Sequence, residues 1–505
     1  MLKFHSKSLK FAIILSSRII TTLISILFVP LYVKIIGAES YGLVAFYGTL
    51  AGSLAILDMG LSTAISRQVL VLSTKPNSQK ETSDLVFSVE LIYWVVAILA
   101  GIIIILLAMP IAKYWVNAQT LSINTISTAI MLMGGIFVFN FPLSIYIGVL
   151  NSLNRQLPNA YINVIAAILK ALGVIIALKY ISASIECFFI WQICISLLVT
   201  LTMRYYTWDI LKSGAKKSKA TFSIIQLKTI GKFAAGMSGI SLITFFLMQI
   251  DKIIVSKYVT LDYVGYYSLA FTVTGAITLC IEPLNPILFP QFTLLAAQNK
   301  ESELITLFHK SCRLITIIVL PIGITLIFFA NQILFLWTQN SILTQNTAPI
   351  LQVCAAGTIC NCLCWIPYWY LLSKGITKYT IYQNIISGLI LVPMLFFWVG
   401  KYGALGASFV WLTVNLGCLL ISVPIFHRLY LKGELKNWFL KDTIYPLLLV
   451  LLIAGVFKYT QVIYFPNIHL LSLGMLLLMA LLLYSLFLPE TRHILFEKYK
   501  SLKIK

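Results

Sequence analysis

The chain has 505 residues, of which 60% are hydrophobic and only 10% are charged, and its mean hydropathy is +0.94. A soluble globular protein carries about 25% charged residues, so this composition excludes that class. The net charge of +21 would indicate a nucleic-acid partner in a soluble protein. Here we expect no nucleic-acid partner, and the sequence predicts an all-α polytopic membrane protein.

Apolar runs long enough to cross a hydrocarbon core of about 30 Å recur along the whole chain. The first, from Phe11 to Ile36, is too long for the apolar region of a signal peptide and lacks a cleavage site, so we expect it to remain as a span. Fourteen helices are predicted, near residues 11–36, 41–72, 84–110, 124–150, 159–181, 184–206, 231–258, 262–290, 309–337, 345–372, 380–400, 404–426, 443–459 and 468–488.

Basic residues are distributed unequally between the two sides of the predicted topology. With the N-terminus inside, 28 of the 37 lysines and arginines fall on the cytoplasmic side and 7 on the other, while Arg18 and Lys170 lie inside helices. The positive-inside rule therefore predicts that both termini are cytoplasmic. The basic linker from Thr207 to Ile230 is expected to anchor the topology on anionic lipid headgroups.

An internal repeat divides the predicted helices into two sets of six. Tyr41-Gly42 matches Val264-Gly265, and Lys179-Tyr180 matches Lys401-Tyr402, at a nearly constant offset. The loop ending at Asn163 likewise matches the loop ending at Asn384. We expect a bundle over 1–210, a linker over 211–230, a second bundle over 231–430, and two appended helices with a basic tail over 431–505, these two helices facing lipid.

Four cations are candidates for binding an anionic substrate. Lys170 lies near the middle of its helix, where a lipid-facing lysine costs roughly 2.5 to 3.5 kcal/mol, so we expect it to face a cavity. A structural ion pair is the alternative. Arg18 is shallow enough for partial snorkelling, and Arg67 and Arg313 lie nearer cytoplasmic ends, where headgroup anchoring competes with substrate binding.

Three acids are candidates for gating or ion coupling. Asp58 precedes Met59-Gly60 within the second helix, and the repeat-related neighbourhood holds Glu282-Pro283. Matched interruptions in the two halves of a transporter indicate a binding site or a gate. A buried, hydrogen-bonded carboxyl that only holds helices together is the alternative for Asp58. Asp251 is the third candidate, although pairing with Lys252 or headgroup contact also explains it.

Other polar residues receive structural interpretations. Glu90 and Glu186 are expected at the membrane interface, and all five histidines at loops or helix ends. Cys360, Cys362 and Cys364 form CNCLC, but Cys362 points away from the other two on a helix, and the remaining zinc ligands are missing. We predict no metal site, no cofactor and no catalytic residue, since no nucleotide-binding or hydrolase motif is present.

Two segments carry a resemblance to a known family, namely GAESYGLVAFYGTLAGSLAILDMGLSTAISRQ in the first hairpin and QIDKIIVSKYVTLDYVGYYSLAFTVTG later. With the basic N-terminal segment, they resemble the polysaccharide-biosynthesis (Wzx-type) flippases, which belong to the multidrug/oligosaccharidyl-lipid/polysaccharide exporter superfamily. The resemblance covers essentially the whole chain and rests on loose motifs.

The resemblance implies two pseudo-symmetric, MATE-like six-helix bundles around a cavity in the bacterial inner membrane. It implies export of undecaprenyl-pyrophosphate-linked oligosaccharide units for O-antigen, capsule or exopolysaccharide assembly, by alternating access and with an ion gradient. Implied partners are this lipid-linked substrate, membrane lipids, and the polymerase and chain-length regulator of the same glycan pathway.

Three alternatives remain open at this point. A multidrug/cation antiporter is expected to have an acidic cavity, whereas the deepest charge here is Lys170. A lipid II flippase is expected to have several cavity arginines, and the first helix has only Arg18. A membrane glycan polymerase or ligase needs a large outer catalytic loop, and the longest predicted outer loop has about 13 residues.

Overall fold

The structure, a computed structural model, describes residues 20–58, 61–73, 78–153, 155–213, 220–230 and 249–464, together with Ile13, Ser16 and Ser17. The chain divides into two compact units, Met1–Gly265 and Tyr266–Lys505. Across the described residues the elements are helical, and an isolated bridge between Asn117 and Thr260 is the one extended pairing. The all-α prediction is confirmed, while the four-part division of the chain stays a prediction.

The helices of the first unit follow the predicted apolar runs. Polar caps start some of them: the Ser122 hydroxyl, for example, accepts a hydrogen bond of 3.1 Å from the Thr125 amide. The described helices of this unit are α1 (Val29–Ile36), α2 (Ala38–Leu54), α3 (Leu61–Ser73), α4 (Gln79–Tyr114), α5 (Ile123–Asn140), α6 (Leu143–Ser152), α7 (Gln156–Tyr180), α8 (Ile185–Ser213), α9 (224–230) and α10 (249–258).

The second unit contains the later helices, and the first of them, α11, starts just before the division between the units. α17 is two helical stretches that meet at a kink at Gly403. The elements are α11 (Leu261–Ile281), α12 (Asn285–Ala297), α13 (Glu301–Phe328), α14 (Ala330–Thr338), α15 (Ser341–Leu363), α16 (Trp365–Ser373), α17 (Thr377–Gly417), α18 (Val423–Tyr430), α19 (Leu435–Asn437) and α20 (Tyr445–Tyr464), with π-helical turns at Cys418–Ser422 and Trp438–Ile444.

Both halves of the repeat interrupt a helix at corresponding positions. A 3-10 turn over Ala55–Asp58 separates α2 from α3, and a 3-10 turn over Glu282–Leu284 separates α11 from α12. In the second half, Pro283 and Pro286 cannot donate the backbone hydrogen bonds that a continuous α-helix requires. The paired helix breaks expected from the sequence are therefore present.

Small residues allow the helices of the first unit to pack closely. A Cβ added to Gly101 on α4 would lie 2.4 Å from a methyl group of Val138 on α5. A Cβ added to Gly134 would lie 3.3 Å from the Gly101 carbonyl oxygen. Close backbone approach at small residues is a common way to associate helices in lipid, where apolar burial supplies little driving force.

Ten helices in the described part of the chain are long and apolar enough to span a membrane. Three shorter apolar helices, Ile20–Ile36, Ala64–Ser73 and Leu288–Ala297, accompany them. The chain is thus a multi-pass membrane protein, and the number of fourteen spans stays a prediction.

The first of the two appended helices, α20, packs against the second unit on one side. α20 packs along α13, where Ile453 contacts Phe329, a side chain that is 1% exposed. The second appended helix, predicted near 468–488, lies outside the described residues. α20 thus packs along one face, while Leu448, Leu452 and Val456 are exposed, and its lipid-facing position stays a prediction.

Candidate functional site

Lys170 lies on α7, near the middle of the helix as predicted, and its side chain is half-buried. Two α8 side chains donate to the backbone beside it. The Trp191 indole donates to the Leu169 carbonyl at 3.0 Å, and the Gln192 amide donates to the Lys170 carbonyl at 3.5 Å. The Tyr32 hydroxyl, from α1, donates to the Ala171 carbonyl at 3.5 Å. Three side-chain donors from two helices thus converge around Lys170.

Tight packing fixes these neighbours in place. A Cβ on Gly173 would lie 2.3 Å from the Trp191 ring, so only glycine lets the indole come this close to α7. Tyr32 is buried, and its ring meets Phe188 edge-on with centroids 5.4 Å apart. Close packing against apolar neighbours therefore fixes the positions of Trp191 and Tyr32, and fixed side chains of this kind suit a binding site.

Lys170 forms no ion pair with any residue that the structure describes. The structural ion pair, which is the alternative for this residue, gains no support from that part of the chain. A half-buried ammonium group without a neighbouring carboxylate attracts anions. The Gln192 amide and the Tyr32 phenol lie at the backbone of the same turn and bring polar atoms of the kind that hydroxyl-rich ligands use.

Asp58 ends the 3-10 turn between α2 and α3 and is half-buried. Its carboxylate accepts hydrogen bonds from the Tyr93 hydroxyl on α4 and, at 2.8 Å, from the Ser62 hydroxyl on α3. Tyr93 is buried and stacks on Phe141, with ring centroids 4.9 Å apart. One carboxylate thus connects the helix break to two further helices, an arrangement compatible with a gate and with a structural joint.

The other predicted residues occupy varied surroundings. Arg67 is exposed on α3, Glu282 is exposed at the second helix break, and Asp251 is half-buried on α10. Arg18 lies outside the described residues. The Arg313 guanidinium donates to the Asp442 carboxylate at 2.7 Å, which favours a structural role for this arginine.

Glu90 was expected at the membrane interface, and the structure buries it instead, with 3% of the residue exposed. Its carboxylate accepts hydrogen bonds from the Tyr146 hydroxyl at 2.7 Å and the Trp208 indole at 2.8 Å. It also forms an ion pair with Arg204. Glu90 therefore joins α4, α6 and α8 through one buried carboxylate, and its position in sequence gave no sign of these partners.

The family follows from a comparison of the sequence with known families. Residues 31–340 match the model of a family described as "Polysaccharide biosynthesis protein". The chain belongs to this family. The matched range contains Lys170, Asp58, Asp251, Glu282 and Arg313, and it ends well before Asp442.

Individual relatives of this polysaccharide biosynthesis protein agree with that assignment. The chain is 23% identical over 413 residues to a Shigella flexneri protein named "Putative O-antigen transporter", covering 80% of this chain and 94% of that one. Among solved structures, it resembles "Lipid II flippase MurJ, inward closed conformation" with a TM-score of 0.72, 16% identity, and coverage of 94% of this chain and 98% of that one.

An inward-facing multidrug resistance MATE family transporter of the MOP superfamily is also similar, with a TM-score of 0.62 and 14% identity. This match covers 82% of this chain and 96% of that one. At such identities the structural matches establish the fold, which is the MATE-like architecture that the sequence predicted. The names of these relatives describe transporters and flippases.

Proposed function

We propose that this protein is a flippase that moves undecaprenyl-pyrophosphate-linked oligosaccharide units from the cytoplasmic to the periplasmic leaflet of the bacterial inner membrane. The product would serve O-antigen, capsule or exopolysaccharide assembly. Family membership and the named Shigella flexneri relative support the substrate class. Both termini are proposed to be cytoplasmic, in accordance with the distribution of lysine and arginine.

The observation that carries the proposal is the half-buried cation at Lys170, which has no ion-pair partner among the described residues. A pyrophosphate headgroup needs a cationic contact within the membrane, whereas its polyprenyl tail can remain in lipid. Tyr32, Trp191 and Gln192 lie around the same turn of α7. Aromatic and amide side chains in this position suit the sugar rings that follow the pyrophosphate.

Transport by the purified protein in proteoliposomes tests this role, with a fluorescent undecaprenyl-pyrophosphate disaccharide as the probe. Lys170→Ala is expected to reduce transport at least tenfold with normal protein levels, and Lys170→Arg is expected to retain part of it. Lys179→Ala is the matched control, because Lys179 lies on the same helix with its ammonium 5.5 Å from the Tyr180 ring centroid. Wild-type transport by Lys170→Ala would refute the anion-binding role.

The same assay separates this function from its nearest alternative. Lipid II, offered at the same concentration, is expected to be moved at least tenfold more slowly than the oligosaccharide lipid. Faster transport of lipid II would instead make this protein a lipid II flippase. An imposed proton or sodium gradient is expected to raise the initial rate, because no nucleotide-binding motif is present to supply energy.

A further inference from the structure

A cluster of ionisable side chains joins α13 to the segment over residues 434–444, which we call the connecting segment. His309 and Arg313 lie one turn apart on α13, and Glu434 and Asp442 lie at the two ends of the connecting segment. Asp442 is fully buried, with 0% of its side chain exposed. This cluster takes no part in the proposed transport site, so a role for it goes beyond the proposed function.

The ring nitrogens of His309 contact two different carboxylates. Nδ1 contacts Asp442 Oδ2, and Nε2 lies 3.2 Å from Glu434 Oε2. Arg313 Nε donates to the other oxygen of Asp442 at 2.7 Å. A neutral imidazole has only one N–H, whereas the imidazolium has two. Since ionised carboxylates only accept hydrogen bonds, the imidazolium is the form of His309 that satisfies both contacts.

The charges of these four described side chains balance in that form. Imidazolium and guanidinium provide two positive charges, and the two carboxylates provide two negative charges. Deprotonation of His309 would leave one excess negative charge beside a fully buried carboxylate, an unfavourable arrangement. The Asn437 amide, which donates to Glu434 at 2.8 Å, and the nearby His309 hold the pKa of Glu434 below its ordinary value, so this acid is ionised at neutral pH.

In the part of the chain that the structure describes, four elements contribute the surroundings of His309. Cys312 and Arg313 lie on α13 with it, Tyr370 of α16 packs on the adjacent Phe308, and His427 comes from α18. The connecting segment contributes Glu434 and Asp442. Lys310, which follows His309 in the sequence, and Lys441, which precedes Asp442, are exposed. The carboxylates that face the imidazole therefore both belong to the connecting segment.

The connecting segment leads directly into α20. Trp438, which is 1% exposed, packs against His427 with ring centroids 5.4 Å apart, and the π-helical turn Trp438–Ile444 carries Asp442 into the core. Beyond this turn, α20 lies along α13. The polar contacts of His309 and Arg313 thus attach one end of α20 to the rest of the second unit.

We propose that His309 is a proton-binding site whose imidazolium form clamps the connecting segment, and with it α20, onto α13. Proton binding at His309 adds the second N–H that the two carboxylates require. Loss of this proton breaks one of the two hydrogen bonds and leaves the charges unbalanced. The clamp therefore loosens as pH rises. The positive-inside rule predicts that this end of α13 is cytoplasmic, so the attachment of α20 should respond to cytoplasmic pH.

The protonation state can be observed directly in the full-length protein reconstituted in nanodiscs without substrate. Nitrogen NMR on histidine-labelled protein distinguishes the imidazolium from the neutral tautomers, and His309→Gln identifies the signals of one among five histidines. At pH 6.5 we expect both nitrogens of His309 to carry protons. A neutral His309 at that pH would overturn the proposal.

Hydrogen exchange measures the clamp itself. After correction for the intrinsic pH dependence, amides of 438–444 are expected to exchange at least tenfold faster at pH 8.5 than at pH 6. His309→Arg, a permanent cation, should remove this response. Lys310→Gln, at an exposed position next to His309 on α13, is the matched control that should keep it.

A second variant covers the case in which His309→Arg does not fold. Glu434→Gln alters only the half-buried edge of the cluster and removes one of the two charges that require the imidazolium. The pH response of 438–444 should then shrink at least threefold. A wild-type protein without a pH response, or a response that persists unchanged in His309→Arg and Glu434→Gln, would overturn the proposal.

Discussion

Gly42 lies so close to Leu261 that a Cβ on the glycine would be 2.1 Å from the leucine carbonyl oxygen. The Leu261 amide in turn donates to the Asn117 carbonyl at 2.9 Å, so this backbone is held in place. Gly265 approaches the same point, since its Cβ would lie 3.5 Å from Gly42 Cα. The two glycines that mark the sequence repeat therefore pack against each other.

We predict that Gly42→Ala destabilises the first unit. The added methyl group collides with backbone, which cannot rotate away as a flexible side chain does, and overpacking of this kind costs about 1–3 kcal/mol. Thermal unfolding of the purified protein should show a lower Tm.

Gly48→Ala is the matched control on the same helix. No atom lies within 4 Å of a Cβ at Gly48, and alanine is favoured over glycine inside a helix by about 0.5–1 kcal/mol. The Tm of this variant should be unchanged or higher. An equal decrease in Tm for Gly42→Ala and Gly48→Ala would show that the close contact at Gly42 does not contribute to stability.

Removal of Arg204 should destabilise the first unit through Glu90. Arg204→Ala leaves the Glu90 carboxylate buried without its cation, although Tyr146 and Trp208 still donate to it. Breaking a fully buried pair costs about 3–5 kcal/mol, but the Arg204 side chain is 46% exposed, so we expect about 2 kcal/mol. Chemical unfolding of the wild type and of Arg204→Ala measures the difference in unfolding free energy.

The exposed pair Lys300–Glu303, with nitrogen and oxygen 3.0 Å apart, provides the comparison. Solvent screens both of its charges, so Glu303→Gln should change the unfolding free energy by less than about 0.5 kcal/mol. If Arg204→Ala has as small an effect, the Glu90 network contributes little to stability.

The sequence predicted the helices, the repeat and the paired helix breaks because these depend on hydropathy, proline and glycine. Lys170 could be identified as well, because a lysine at the middle of an apolar run is conspicuous. Its neighbours Tyr32 and Gln192 could not, since they belong to other helices. Only tertiary packing brings them to the same turn.

The cluster at His309 was missed for a different reason. The predicted helix began at residue 309, but α13 begins at Glu301, so His309 lies two turns inside it. Asp442 fell just before the predicted start of the next helix at residue 443. An apolar-run criterion trims the polar ends of helices, and those ends carry both partners of this cluster. The ion pair of Glu90 could not be predicted because its cation, Arg204, is 114 residues away in sequence.

The gating role predicted for Asp58 can be separated from a structural one. Asp58→Asn keeps the size of the side chain and one acceptor oxygen but removes the charge, so a gate or ion site should lose transport at least tenfold while Tm stays nearly constant. Tyr93→Phe removes only the hydroxyl that donates to Asp58 and keeps the ring on Phe141. It should cost about 1 kcal/mol of stability and leave most of the transport.

Transport and Tm are both measured for the two variants, in proteoliposomes and in detergent. If Asp58 only joins the helix break to α4, the variants should lose stability and transport together and to similar extents. That result would contradict the gating hypothesis and support the structural joint.

The clamp at His309 should also have an acid limit, set by Glu434. Because the Asn437 hydrogen bond and His309 lower its pKa below the ordinary 4.5, its contribution is fully present above about pH 4.5 and is lost as pH falls through the lowered value. Asn437→Ala removes the main cause of the lowering, so the loss should begin at a higher pH. Hydrogen exchange of 438–444 between pH 3 and 6 gives the pH dependence of the clamp in the wild type and in Asn437→Ala. Identical pH dependence in the two proteins would show that Glu434 does not contribute to the clamp.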